Sequence, residues 1–376
     1  MNAKPIRLLV VDDSALARKA ITSSLAPHKD IEIVGTAVDP YVARDKILEL
    51  NPDVMTLDIE MPRMDGITFL KRIMKHRPMP VIIISSLTET GSKKALEALQ
   101  AGAVDVMEKP AGSYSACADG TRLAEKVRAA AGARVRLFPG LPAPDPRPGT
   151  AQNRVIASDA RSFPARNVIL LGASTGGTEA LKSVLTSMRG DLPGICIVQH
   201  IPAHFSKAFA DRLNELCSME VREAVHNDAV RPGLALVAPG GYHMLLRWQA
   251  CRYVVELNQG PPIHHQRPAV DVLFDSAIKA GAAPHAAAAL LTGMGSDGAA
   301  GLLRLRQEGA ATIAQNEETC VVFGMPREAI LLGAAQHVVP LELIGPRLDQ
   351  LICGQSAAPA RRAAMAGSLQ KAGETA

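Results

Sequence analysis

Aromatic side chains are scarce: they make up 3% of the 376 residues, with a single tryptophan. A chain so poor in rings has few platforms on which the bases of single-stranded nucleic acid could stack. Cysteine is sparse too. The six residues stand singly, with no CxxC pair and no Cys/His spacing for a metal, and read as reduced thiols of a cytosolic protein. An excess of one charge is missing: 41 basic against 37 acidic residues leave a formal net charge of +4. That balance gives no argument for a nucleic-acid or membrane surface. No apolar run approaches the ~18 residues of a membrane span. The opening MNAKPIRLLVVDD reaches acidic residues after one short apolar run, unlike a signal peptide. What is present is ordinary globular material, sufficient for roughly two to three domains.

The first 130 or so residues alternate short apolar runs with amphipathic helical patterns. Strands are expected at Arg7–Val11, Ile31–Ala37, Val54–Leu57, Val81–Ser85 and Asp105–Met107, and helices between them and after the last. Five βα repeats imply a parallel sheet covered on both faces. The pattern then dissolves into a Pro-rich stretch over 137–166, read as an extended, mobile linker. A second βα series follows over 167–354. Its strands are expected at Asn167–Leu171, Ile195–Val198, Leu234–Ala238, Tyr253–Leu257, Ala287–Thr292 and Ala311–Ala314, with mixed connections. The tail over 355–376 has too little apolar content to pack and reads as disordered.

Three carboxylates punctuate the first series. Asp12 and Asp13 follow its first strand and Asp58 its third. In a parallel sheet with helical crossovers such ends neighbour each other on one edge. Carboxylates held together repel, and oxygen ligands with retained waters suit Mg²⁺. Ser85 closes the fourth strand and Lys109 the fifth, bringing a hydroxyl and an ammonium to the same edge. Such a site can carry a phosphoryl group on a carboxylate. Capping of the following helices is the alternative for any one Asp, but it does not account for all five residues in step.

The second series carries a different chemistry. Gly172-Ala173-Ser174-Thr175-Gly176 fits the G-x-S-x-G nucleophile turn between strand and helix, although a Ser there can also be a helix cap. His200 follows the next strand, where a lone His is more often a satisfied structural residue. Asp297 sits in a glycine turn, with Gly293, Gly295 and Gly298 permitting close approach of main-chain N–H groups that could form an oxyanion hole. A Ser, a His and an Asp, each C-terminal to an apolar strand, point to the edge where open α/β sheets build their sites. Their order, Ser–His–Asp, is not that of the α/β-hydrolases. The segment Gly293–Gly298 also satisfies G-x-G-x-x-G, with Glu317 or Glu318 some way downstream. Yet Asp297 would repel a pyrophosphate, and the turn comes late in the domain. No basic helix-turn-helix follows the linker.

VVDDSALARKAI, TLDIEMPRMDG, IIISSLT and MEKP resemble the receiver domain of two-component response regulators. LLGASTGGTEAL, IVQHIPAHF, LVAPGGYHM, RPAVDVLFDSA, LTGMGSDGAAGL and AQNEETCVVFGMPREA, in that order, resemble the catalytic domain of the chemotaxis protein-glutamate methylesterases, the CheB family. The resemblance implies an α/β chain: a (βα)5 receiver over 1–136, the linker, and a doubly wound methylesterase domain over 167–354. It implies Asp58 as phosphoacceptor, Asp12 and Asp13 as Mg²⁺ ligands with it, Ser85 as switch hydroxyl and Lys109 as phosphoryl contact. It further implies Ser174 as nucleophile, His200 as base, Asp297 as its orienting acid, the Met294 N–H for the oxyanion and Thr175 in the same turn. No cofactor is implied for ester hydrolysis. The implied partners are methyl-accepting chemotaxis receptors as substrate and a chemotaxis histidine kinase as phosphodonor, with no nucleic acid and no membrane insertion. The implied activity is hydrolysis of receptor glutamyl methyl esters and deamidation of receptor glutamines in the cytoplasm. One departure is the His-rich IHHQRP before the VDVLF segment. His243, His264 and His265 remain open between substrate contact and surface loop.

Overall fold

The structure, a computed structural model, describes residues 4–85, 88–109, 116–134 and 163–354. Most of the expected linker and the whole tail over 355–376 lie outside the described residues. In the first domain β1 (Ile6–Val11), β2 (Ile31–Ala37), β3 (Val54–Asp58), β4 (Val81–Ser85) and β5 (Asp105–Glu108) form one parallel sheet in the order β2-β1-β3-β4-β5. The crossover helices are α1 (Ala15–Leu25), α2 (Pro40–Leu50), α3 (Gly66–His76) and α4 (Glu89–Gln100), and α5 (Ala116–Ala131) follows β5. The central strands β3 and β4 are buried along their whole length, as a sheet covered on both faces requires. Side chains of Ser14, Asp39, Asp65 and Thr88 accept first-turn N–H bonds of α1 to α4. Each such cap is worth about 1 kcal/mol, and together they set where each crossover begins.

The second domain contains β6 (Val168–Ala173), β7 (Ile195–Gln199), β8 (Glu220–Glu223), β9 (Leu234–Val237), β10 (His243–Gln249), β11 (Arg252–Asn258), β12 (Ala286–Leu290), β13 (Ala311–Gln315) and β14 (His337–Val339). Its helices include α6 (Gly177–Ser187), α7 (Phe205–Leu216), α8 (Val270–Lys279), α9 (Ala299–Gln307) and α10 (Met325–Leu331), with a further helix over 341–354. Seven strands make one sheet in the order β14-β13-β12-β6-β7-β9-β8. The period of two along β6 divides the core. Ile169 and Leu171 face the side packed by α6 and α7, and Val168 and Leu170 face the side packed by α8 and α9.

Two expectations need correcting. The large sheet is parallel throughout rather than mixed. The segment Tyr253–Leu257 lies outside it, pairing antiparallel with β10 in a two-stranded ribbon. Three strands escaped the sequence reading for local reasons. β8 (EVRE) carries three charged residues in four, β14 has only three residues, and β10 (HMLLRWQ) lacks clean alternation. At the linker's end, residues 163–166 pack on this domain: Phe163 joins the core and the Arg166 guanidinium lies 4.3 Å from the Trp248 ring centroid.

The chain leaves β6 toward β7 on one side, while β12 flanks β6 on the other. A crevice opens where the winding direction reverses, outside the C-terminal strand ends. Gly172 keeps that crevice tight: a Cβ there would meet Val270 Cγ1 at 2.4 Å, at the start of α8. Gly172→Ala is therefore expected to push α8 off the strand and cost about 1–3 kcal/mol. The check is the urea midpoint of the full chain, which an accommodating α8 would leave unmoved.

Candidate active site

Ser174 stands one residue beyond β6, and His200 one beyond the adjacent β7. Main-chain bonds lock these ends together: His200 N–H donates to Ala173 O at 3.0 Å and Ser174 N–H to Thr292 O at 3.0 Å. The second bond joins the Ser174 turn to the loop after β12 that carries Asp297. Gly176 in this turn has φ +77°, a backbone state that L side chains rarely adopt. Gly293 lies against the serine itself, since a Cβ there would come within 2.6 Å of Ser174 Cβ.

Asp297 is buried, and His200 Nε2 lies 2.7 Å from its Oδ2. The N-terminus of α8 grips the same carboxylate. Val270 N–H donates to Oδ2 at 2.7 Å and Asp271 N–H to Oδ1 at 2.9 Å. Burial alone would raise the Asp297 carboxyl. The His200 hydrogen bond and charge, with the two backbone donors, outweigh it and hold the group below the usual carboxylate range. Asp297 is thus an anion that keeps one imidazole nitrogen occupied. Ser174 Oγ makes no hydrogen bond to another described residue, although the residue is only 9% exposed. Ser174 thus lies where the ends of β6, β7 and β12 meet. Met294 is half-buried in the glycine turn beside it, with Gly295 exposed at φ +81°. With Asp297 engaged in these bonds, the turn does not present the open anion cradle that a dinucleotide needs.

At the first domain's edge, carboxylate oxygens of Asp12, Asp13 and Asp58 lie within 4.8 Å of one another. Lys109 Nζ is 2.7 Å from Asp58 Oδ2 and 3.3 Å from Asp12 Oδ2. Burial, then the Asp12 charge, push the Asp58 carboxyl up, against the opposing pull of Lys109. Asp12 Oδ2 is buried without a well-formed hydrogen bond. Three carboxylates this close, with the Lys109 ammonium as the cation beside Asp12 and Asp58, make a donor set that fits a hard divalent cation. Ser85 is buried at the end of β4, its hydroxyl 3.5 Å from Gly91 O of α4.

Family models match both regions: a response regulator receiver domain over residues 8–116 and CheB methylesterase over 169–348. The protein-glutamate methylesterase/protein-glutamine glutaminase 2 of Syntrophus aciditrophicus is 54% identical over 353 residues, covering 92% of this chain and 99% of its own length. A Geobacter metallireducens protein with the corresponding name is 50% identical, covering 93% of this chain and 96% of its own. The chain belongs to the CheB methylesterase family. Among solved structures, the Thermotoga maritima CheB methylesterase catalytic domain is 35% identical, matching 51% of this chain and all of that one at a TM-score of 0.48.

Around this CheB site, Asp271 carried no signal in the sequence, whereas the three histidines left open above now have definite places. Asp271 lies buried in the first turn of α8, accepting from Gly301 N–H at 2.6 Å, with His264 Nε2 at 3.1 Å. Burial and the Asp297 charge push its carboxyl up. His264 and His265 form a two-residue turn, both at positive φ, between Ile263 and Gln266. His243 is not a surface residue: it is buried at the start of β10 and bonded to the backbone of Pro261 and Ala269. Cysteines 196, 217 and 320 are buried, whereas Cys251 is exposed in the β10–β11 turn, so packing does not account for all of them.

Gln199, the last residue of β7, is buried between the two principal side chains. Its Nε2 donates to Ser174 O at 2.8 Å and to His200 O at 3.2 Å, so one amide ties both loops. Gly177 makes room, since a Cβ there would stand 2.1 Å from Gln199 Oε1. Gln199→Leu keeps volume but removes both amide bonds, leaving Ser174 O with only its Gly177 N–H donor at 2.7 Å and the two loops without their tie. The labelling rate of Ser174 by a fluorophosphonate is expected to fall roughly 10–100-fold, as misplacement near 1 Å does. An undiminished rate in a folded variant would show the clamp to be idle.

Proposed function

We infer that this chain hydrolyses γ-glutamyl methyl esters, and the matching glutamine side-chain amides, on cytoplasmic helices of methyl-accepting chemotaxis receptors. The single observation that carries the reading is the His200–Asp297 pair at 2.7 Å, held by main-chain bonds against the turn that carries Ser174. Ser174 Oγ attacks the side-chain carbonyl while its proton passes to His200 Nδ1, the ring nitrogen that Asp297 leaves open. The anionic Asp297 stabilises the imidazolium so formed. The Met294 N–H receives the oxyanion. Collapse expels methanol, or ammonia from an amide, carrying the proton from His200. Water deprotonated by the same ring then cleaves the acyl-serine, giving glutamate and restoring the hydroxyl. No cofactor takes part in these steps.

The first domain supplies the control. Asp58 accepts a phosphoryl group from a chemotaxis histidine kinase. Asp12, Asp13 and Asp58 would hold Mg²⁺, which neutralises phosphoryl oxygens when bound; Lys109 contacts the same oxygens and Ser85 reports their presence. The reading divides the chain into a receiver over 1–136 and a catalytic domain over 167–354, working in the cytoplasm. Two contacts support inhibition by the unphosphorylated receiver. Leu96 and Leu99 of α4 lie against Phe209 and Leu213 of α7. Thr175, next to the nucleophile, donates to Asp105 Oδ2 of β5 at 2.6 Å, and Lys126 of α5 holds Oδ1 at 2.7 Å. The Lys126 side chain is largely buried, and this desolvation pushes its pKa down despite Asp105. A buried ion pair loses several kcal/mol when one partner goes, so this contact is sensitive to small displacements.

Ser174→Ala should lower methanol release from methylated receptor membranes by roughly 10⁴- to 10⁶-fold, while Asp58 still takes phosphate from a small phosphodonor. Methanol release at the parental rate would end the serine mechanism. Asp105→Ala removes the bond to Thr175 and strands Lys126. Without phosphodonor its basal methanol release should exceed the parent's several-fold, and a phosphodonor should add less. An unchanged basal rate would argue against inhibition through this contact.

A further inference from the structure

Helices α2 and α3 cross the same face of the receiver sheet as neighbours, yet they scarcely touch. Between them lies a cleft of about 430 Å³. Its floor is the buried Ile47, Phe69 and Ile73, and its lips are Tyr41 and Leu48, the latter 66% exposed. An apolar side chain so open on a helix that should have a packing partner marks an unfilled surface. Besides the Tyr41 phenol, the titratable groups lining the cleft are all basic: Arg44, Arg72, His76 and Arg77. Arg44 pairs with Asp45, both well exposed, and Arg77 bonds to the Asn51 side chain; Arg72 makes no ion pair among the described residues. No described residue of the second domain lines the cleft, so it stays open while the receiver contacts the catalytic domain.

We propose that the α2–α3 groove of the receiver docks an acidic amphipathic helix of a partner protein. Apolar side chains of that helix, spaced at i, i+3/i+4 and i+7, fill a groove of this volume and shape. Carboxylates on its flanks meet the cationic rim, which favours this partner over a basic one by like-charge repulsion. None of Asp12, Asp13, Asp58, Ser85 and Lys109, and no residue of the α4–α7 contact, lines the groove.

The test uses the full chain and a fluorescein-labelled synthetic helix with leucines at that spacing and glutamates on both flanks. Anisotropy should report saturable binding that weakens as salt rises through the physiological range. A peptide with lysines in place of the glutamates should bind at least about tenfold more weakly. Arg72→Glu and Leu48→Ser, both at exposed positions, should each cost at least about fivefold while methanol release and thermal melting stay at parental values. Equal binding of the two peptides, or affinity indifferent to both substitutions, would overturn the proposal. So would a concentration-dependent dimer dissolved by Leu48→Ser, which would make a second copy the occupant.

Discussion

The catalytic domain is organised around the Asp297 carboxylate. It is removed from water, yet kept charged by three donors at 2.7–2.9 Å: His200 and the N–H groups of Val270 and Asp271. A buried carboxylate without such partners would take up a proton and lose its hold on the imidazole. Two of those donors are the leading N–H groups of α8, which no intrahelical bond could satisfy. One interaction therefore caps a helix, fixes the crevice wall and orients the histidine. It also explains why small residues are needed around it. Gly172, Gly293 and Gly298 each face a neighbour that a Cβ would strike at 2.4–2.6 Å.

Much of this was legible because parallel sheets impose a simple rule: residues just beyond apolar strands gather on one edge. Ser174, His200 and Asp297 each follow such a strand, as do Asp12, Asp58 and Lys109. The rule needs only strand positions, and those came from uninterrupted runs such as VIIIS and ICIVQ. Where strands lacked that signal, reading failed. The β10–β11 ribbon was half seen and put in the wrong sheet, because pairing partners are a tertiary choice that periodicity does not encode.

The supporting residues were illegible for a related reason. Gln199 reads as the polar end of an apolar strand, and nothing local says that its amide reaches two carbonyls in adjacent loops. Asp271 reads as an acid in a helix's first turn, a common and favourable place, although its carboxyl in fact lies buried and meets α9 through Gly301. Asp105 opens a receiver strand on the edge away from the Asp12–Asp13–Asp58 cluster. Its partner Thr175 is 70 residues away in another domain. Each role exists only once two distant segments have met.

The two domains share more than a fold class. Each uses C-terminal strand ends to crowd carboxylates where water cannot fully screen them, and each compensates with a different cation. In the receiver, Lys109 compensates only in part, so Asp58 keeps a raised affinity for a proton and its site stays receptive to added positive charge. In the catalytic domain, backbone dipoles and an imidazole compensate fully, so Asp297 stays ionised. The first arrangement is unsettled by design of its charges, and adding a phosphoryl group changes its balance. The second is closed and tolerates no such addition. Two similar sheets thus differ in whether the buried negative charge is left incompletely neutralised, and the Asp105–Lys126–Thr175 contact joins the one domain to the other.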